Sequence, residues 1–168
     1  MSFKRVALLI TLSWLSMIGV DFFLHAGLLA RFYVQPSPFL LPPERAFQLI
    51  PLGYLSFLLI AVLLVWLMFR LKIQGWRGGF LFGLELGALV WGAMVLGLIS
   101  ISTASVWLLL GWLLGQTGEL AIAGMFVGSG LGGERLTRLF IMVAVLIFIS
   151  VLATIVLQST GLAPAIRI

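Results

Sequence analysis

The sequence contains no cysteine, which excludes disulfides, thiolate metal sites and a cysteine nucleophile. It has a single histidine, His25, so a His–His metal pair within one chain is excluded as well. Charge is scarce: only 9% of residues are Asp, Glu, Lys or Arg, against roughly a quarter in soluble domains. No Ser–His, metal-ligand or aspartyl-pair spacing stands out, so an enzyme is not expected.

What is present is apolar. Hydrophobic residues make up 62% of the chain and the mean hydropathy is +1.26, values that belong to an integral membrane protein. The apolar runs use up nearly all of the sequence, so residues 1–168 read as a single membrane domain. The net charge of +5 comes from bases at the ends of apolar runs, where they meet anionic headgroups rather than nucleic acid. The lipid bilayer is the expected partner, with a homo-oligomer or a larger membrane complex as the protein partners to consider.

A span needs about 20 apolar residues, and five stretches qualify: 6–30, 46–69, 78–101, 105–128 and 137–158. The first has the basic and apolar regions of a signal peptide, but runs past Asp21 without a small-x-small cleavage site and reads as a retained helix. The link Ser102–Ser105 is so short that the third and fourth spans must form a tight hairpin. The fold class is therefore all-α, a polytopic transmembrane helical bundle of five spans.

Charge then assigns direction. Lys4, Arg5, Arg70, Lys72, Arg77, Arg135 and Arg138 fall at one end, and Arg31, Arg45 and Arg167 at the other. The positive-inside tendency puts the richer end in the cytoplasm, with the amino terminus in and the carboxyl terminus out across a cytoplasmic membrane.

The loop from Arg31 to Arg45 holds Pro36, Pro38, Pro42 and Pro43 around Phe39, Leu40 and Leu41. It reads as an interfacial loop or as a lid over an outward cavity. Pro51 lies inside the second span and predicts a kink near Phe47.

Gly79, Gly83 and Gly87 recur every four residues along one ridge of the third span. Small ridges let backbones approach in lipid, where apolar burial alone gives little drive for association. On that ground the third span is the expected central helix. The fifth span has no ionisable residue between Leu139 and Leu157 and is expected to face lipid on most sides.

The first and fourth spans share a pattern. Leu12-Ser13-Trp14-Leu15 runs to Asp21, and Leu110-Gly111-Trp112-Leu113 runs to Glu119. Downstream, Pro42-Pro43-Glu44-Arg45 opens the second span as Gly132-Gly133-Glu134-Arg135 opens the fifth. Either an inverted 2+1+2 repeat or chance identity among apolar residues accounts for this echo. Trp14, Ile18, Asp21 and His25 form one helical stripe, and Trp112, Gln116, Glu119 and Ala123 the matching one.

Three of the five acids, Asp21, Glu85 and Glu119, lie within spans, where a carboxylate costs about 2.5–3.5 kcal/mol on insertion scales. Glu85 and Glu119 lie at comparable depths on adjoining helices. Two such carboxyls near one another cannot both ionise cheaply, which suggests a proton or cation site with Gln116 as a hydrogen-bond partner. The alternative is a neutral carboxyl, or one paired with Arg77 or Arg138, that holds helices together.

Asp21 and His25 stand four apart on one face and form a second polar site toward the outer surface. A proton relay, a metal contact and an axial ligand to haem or a pigment are each open to a lone histidine, and each calls for partners the chain does not supply. A mutually satisfied pair, with Gln48 or Arg31 beside it, is the simpler reading, and the sequence assigns no cofactor. Two functional classes follow: a transporter or channel-like protein whose intramembrane carboxylates handle protons or cations, and a non-catalytic accessory or assembly subunit of a larger membrane complex.

Overall fold

The computed structural model describes residues 2–35 and 37–164. Every regular element among them is a helix: α1 (Phe3–Phe23) continued by a π-helical turn (Leu24–Leu28), α2 (Ala30–Val34), α3 (Pro43–Gln48), α4 (Ile50–Arg70), α5 (Trp76–Ile101), α6 (Val106–Leu131) and α7 (Leu136–Ser159). Five are long and apolar enough to cross a membrane, and they coincide with the five stretches read from the sequence. Pro36 and Arg167 lie outside the described residues.

Local chemistry sets the helix ends. The Ser2 hydroxyl accepts from the Arg5 backbone N–H and caps α1. Gly75, at φ 80°, turns the chain into α5 through backbone space that glycine enters without strain. The expected kink near Phe47 is instead a break. Helix α3 stops at Gln48, and α4 restarts at Ile50 with Pro51 in its first turn, where a missing N–H costs no hydrogen bond.

Helices α1 and α6 run antiparallel and form the axis of the bundle. A side chain added at Gly111 would meet Leu29, one at Gly115 would meet Leu24, and one at Gly130 would meet Leu9, so the register holds along the pair. Helix α7 lies parallel to α1, with Ile147 over Gly19 and Leu157 over Gly27. The core fills the space between α1, α4 and α6 with Leu9, Leu12, Met17, Leu64, Met68 and Leu120. At one end, the Arg5 guanidinium donates to the carbonyls of Gly130 (2.8 Å) and Glu134 (2.7 Å), tying α1 to the turn between α6 and α7.

The expectation that the third span is central is corrected. Helix α5 packs almost wholly on α6, and α6 is the hub. The glycine ridge does bring backbones together: a Cβ at Gly79 would run into the Gly124 carbonyl, and one at Gly83 into the Leu120 carbonyl. The Gly75 N–H donates to the Gly128 carbonyl at 2.8 Å across the same seam. A small ridge gives one close partner and says nothing of the rest of the helix, whose other faces are left exposed here. Helix α7 packs along α1, with Ser150 and Thr154 buried and the Thr154 hydroxyl donating to the Ser150 carbonyl of its own helix.

Candidate functional site: a buried acid–amide–imidazole cluster

The register of α1 against α6 brings Asp21 opposite Gln116. The Gln116 amide donates to Asp21 Oδ1 at 3.1 Å, and both residues are buried. The same Asp21 oxygen lies 2.7 Å from His25 Nδ1. That nitrogen is also 3.1 Å from the Asp21 backbone carbonyl, so one ring edge is held against a single residue. The π-helical turn carries His25, and the wider turn changes the phase of everything after it.

Beyond the cluster an aromatic layer closes the end. Tyr33 packs on His25 with ring centroids 5.3 Å apart. The Trp112 indole donates to the Tyr33 hydroxyl at 2.6 Å, and Phe39, from the proline-rich loop, lies on Trp112 at 6.1 Å. Burial pushes the Tyr33 hydroxyl well above its ordinary range, so it remains a neutral phenol able to accept from the indole. The other deep tryptophan of the echo, Trp14, donates to the Tyr54 carbonyl at 2.7 Å.

Glu119 sits one turn from Gln116 on α6, toward the base-rich end, and is 0% exposed. Both of its carboxyl oxygens, and Gln116 Oε1, are without a hydrogen-bond partner among the described residues. Arg138 is engaged by Glu134 at 3.1 Å, and the Arg77 guanidinium lies over Trp76, 5.0 Å from the ring centroid. Buried unmatched acceptors cost on the order of 1–3 kcal/mol each, and these three lie on one stretch of α6. Elsewhere on α1, Ser16 and Ser13 are buried off this stripe, and Ser13 Oγ is also without a partner among the described residues.

Glu85 does not join Glu119. The ridge of Gly83 and Gly87 faces α6, and Glu85 stands two residues from each, about 200° around the helix. Its side chain is exposed on the far side of α5. The four residues drawn together are Asp21, His25, Gln116 and Glu119, which regroups the inner and outer sites expected from the sequence. Gln48 and Arg31 are exposed and leave the Asp21 contact to Gln116, a partner that the depths of the two stripes allowed but the sequence did not pair.

Among the described residues no three His, Asp or Glu side chains are grouped to hold a metal ion. The chemistry the cluster offers is that of hydrogen-bond acceptors short of donors, with one imidazole at the more open end. Comparison of the sequence with models of protein families finds no match, and comparison with curated proteins and with solved structures finds none either.

Proposed function

We propose that this chain is a small transporter or channel-like membrane protein whose intramembrane carboxylates, Asp21 and Glu119, handle protons or monovalent cations. The observation that carries the reading is the run of buried, donor-starved oxygens on Gln116 and Glu119 beside an aspartate already bonded to an imidazole. An ionisable residue inside the hydrocarbon region is a functional-site hypothesis by default. A proton or a small cation is what such oxygens lack. His25, with 30% of its side chain exposed, supplies the contact with water, and the aromatic layer of Tyr33, Trp112 and Phe39 covers it. The base-rich end supports an orientation with the amino terminus in the cytoplasm of a cell whose cytoplasmic membrane holds the protein.

The assay is flux into proteoliposomes loaded with a pH-sensitive dye, under a potassium diffusion potential. Wild-type protein dissipates the proton gradient, Asp21→Asn and Glu119→Gln slow it at least tenfold, and Glu85→Gln leaves it unchanged. Absence of proton, sodium and potassium flux through the wild type would refute the reading. The second class, an accessory subunit, is favoured by one specific feature, the uncovered α5 face bearing Glu85, and is read out by copurification of a membrane partner that Glu85→Leu releases.

A further inference from the structure

Helix α4 closes through a lysine where glycine is the usual residue. The Ile73 N–H donates to the Met68 carbonyl at 3.0 Å and the Lys72 N–H to the Phe69 carbonyl at 3.4 Å, the pairing of a helix end that turns through one left-handed residue. That residue is Lys72, at φ 57°, and no other non-glycine among the described residues has a positive φ. Glycine takes such a position without steric cost and lysine does not. A locally unfavourable choice of this kind points to a task for the side chain. Offsetting the helix dipole is not that task, because Arg70 in the last turn already supplies a base there.

Beside Lys72 is an open hollow of about 500 Å³, bounded by the end of α4, the turn into α5 and Leu131 at the end of α6. It exposes polar as well as apolar surface. Arg70, Lys72 and Gln74 form the polar wall and are exposed, while Phe69, Ile73 and Leu131 form an apolar wall that is also reachable from outside. The ion pairs among the described residues are Asp21–His25 and Glu134–Arg138, so both bases of the hollow are without a carboxylate. Exposed Trp66 and Trp76 flank it along the chain and set its level at the membrane interface. An anion is what the two bases lack, and at that level the anions are phospholipid headgroups. A zwitterionic headgroup brings a cation of its own toward the same bases and loses by repulsion part of what its phosphate gains. The apolar wall adds a contact for the glycerol end of the acyl chains, which a free phosphate does not have.

We propose that this hollow is a site for one anionic phospholipid, whose phosphate is held by Arg70 and Lys72 and whose glycerol and upper acyl chains lie on Phe69, Ile73 and Leu131. Binding there is independent of ion handling by Asp21 and Glu119.

The test is thermal unfolding of the purified full chain in maltoside micelles, titrated with dioctanoyl phosphatidylglycerol. Wild type shows a saturable upward shift in Tm that dioctanoyl phosphatidylcholine does not reproduce. Arg70→Gln and Lys72→Gln each raise the half-saturating concentration about fivefold, the equivalent of about 1 kcal/mol for each base near an anionic surface. Lys72→Gly separates binding from folding: it raises the Tm without lipid by relieving the backbone, yet raises the half-saturating concentration as Lys72→Gln does. Arg135→Gln, at an exposed base of the same end that does not line the hollow, leaves it unchanged. Should Lys72→Gly fail to fold, Arg70→Gln carries the test. An equal shift from phosphatidylcholine or from inorganic phosphate alone, a half-saturation point moved as far by Arg135→Gln as by Arg70→Gln, or a lower lipid-free Tm in Lys72→Gly would overturn the proposal.

Discussion

Replacing Gly83 with alanine adds one methyl group, and the structure fixes where it goes. The new Cβ would sit 2.8 Å from the Leu120 carbonyl carbon and 2.9 Å from the Ala121 Cα. Both are backbone atoms of a helix, so no side chain can swing aside. Helix α5 must move away from α6 as a body, losing the facing contacts at Gly79 and Gly87. Overpacking of this kind costs typically about 1–3 kcal/mol, from which roughly 1 kcal/mol is recovered because alanine is the better helix former. The expected net loss is up to about 2 kcal/mol. Gly92 on the same helix provides the opposite case, since a Cβ there meets nothing within 4 Å. There the propensity gain stands alone, and Gly92→Ala stabilises by up to about 1 kcal/mol. Equilibrium unfolding in mixed micelles, followed by circular dichroism, compares the two. Effects of the same sign, or a difference below about 0.5 kcal/mol, would refute the argument that α5 is held by backbone contact along that ridge.

Three further outcomes are expected. The Asp21–Gln116 hydrogen bond ties α1 to α6, and a double-mutant cycle of Asp21→Leu with Gln116→Leu gives a coupling of about 0.6 kcal/mol, at most about 1.7; zero coupling in unfolding titrations would dissolve the cluster. Trp112→Phe removes the indole donor to Tyr33 and costs about 1 kcal/mol, and the loop around Phe39 becomes more readily cut in limited proteolysis, whereas an unchanged cutting rate would mean that Phe39 does not depend on Trp112. Glu85→Leu changes the stability of the isolated chain by no more than about 0.5 kcal/mol, because the carboxyl is exposed on α5; a loss above 1 kcal/mol would place Glu85 in a contact within the chain.

The apolar runs were enough to give the five spans, the short hairpin and the depth of each acid, because length and rise per residue are local properties. Azimuth is different: Glu85 and Glu119 share a depth, but a shared depth becomes a contact only when the docking faces are known. The answer was partly in the sequence, for the ridge of Gly79, Gly83 and Gly87 places Glu85 on the opposite side of whatever helix that ridge touches. The pairing of Asp21 with Gln116 was not legible, since it depends on α1 and α6 being neighbours although 95 residues separate the two side chains.

The wide turn at Leu24–Leu28 has one last consequence. The Leu29 N–H reaches back five residues to the Leu24 carbonyl, at 2.7 Å, so the chain accommodates one residue more than an α-turn would. That surplus works like a slipped tooth on a gear: everything beyond it, including Tyr33, is offset by about 100° from the course that α1 set. Tyr33 therefore reaches His25, and the Trp112 indole that bonds it from α6, by way of a counting irregularity in the backbone. Shortening the turn by a single residue would leave the composition of the cover intact and point Tyr33 elsewhere.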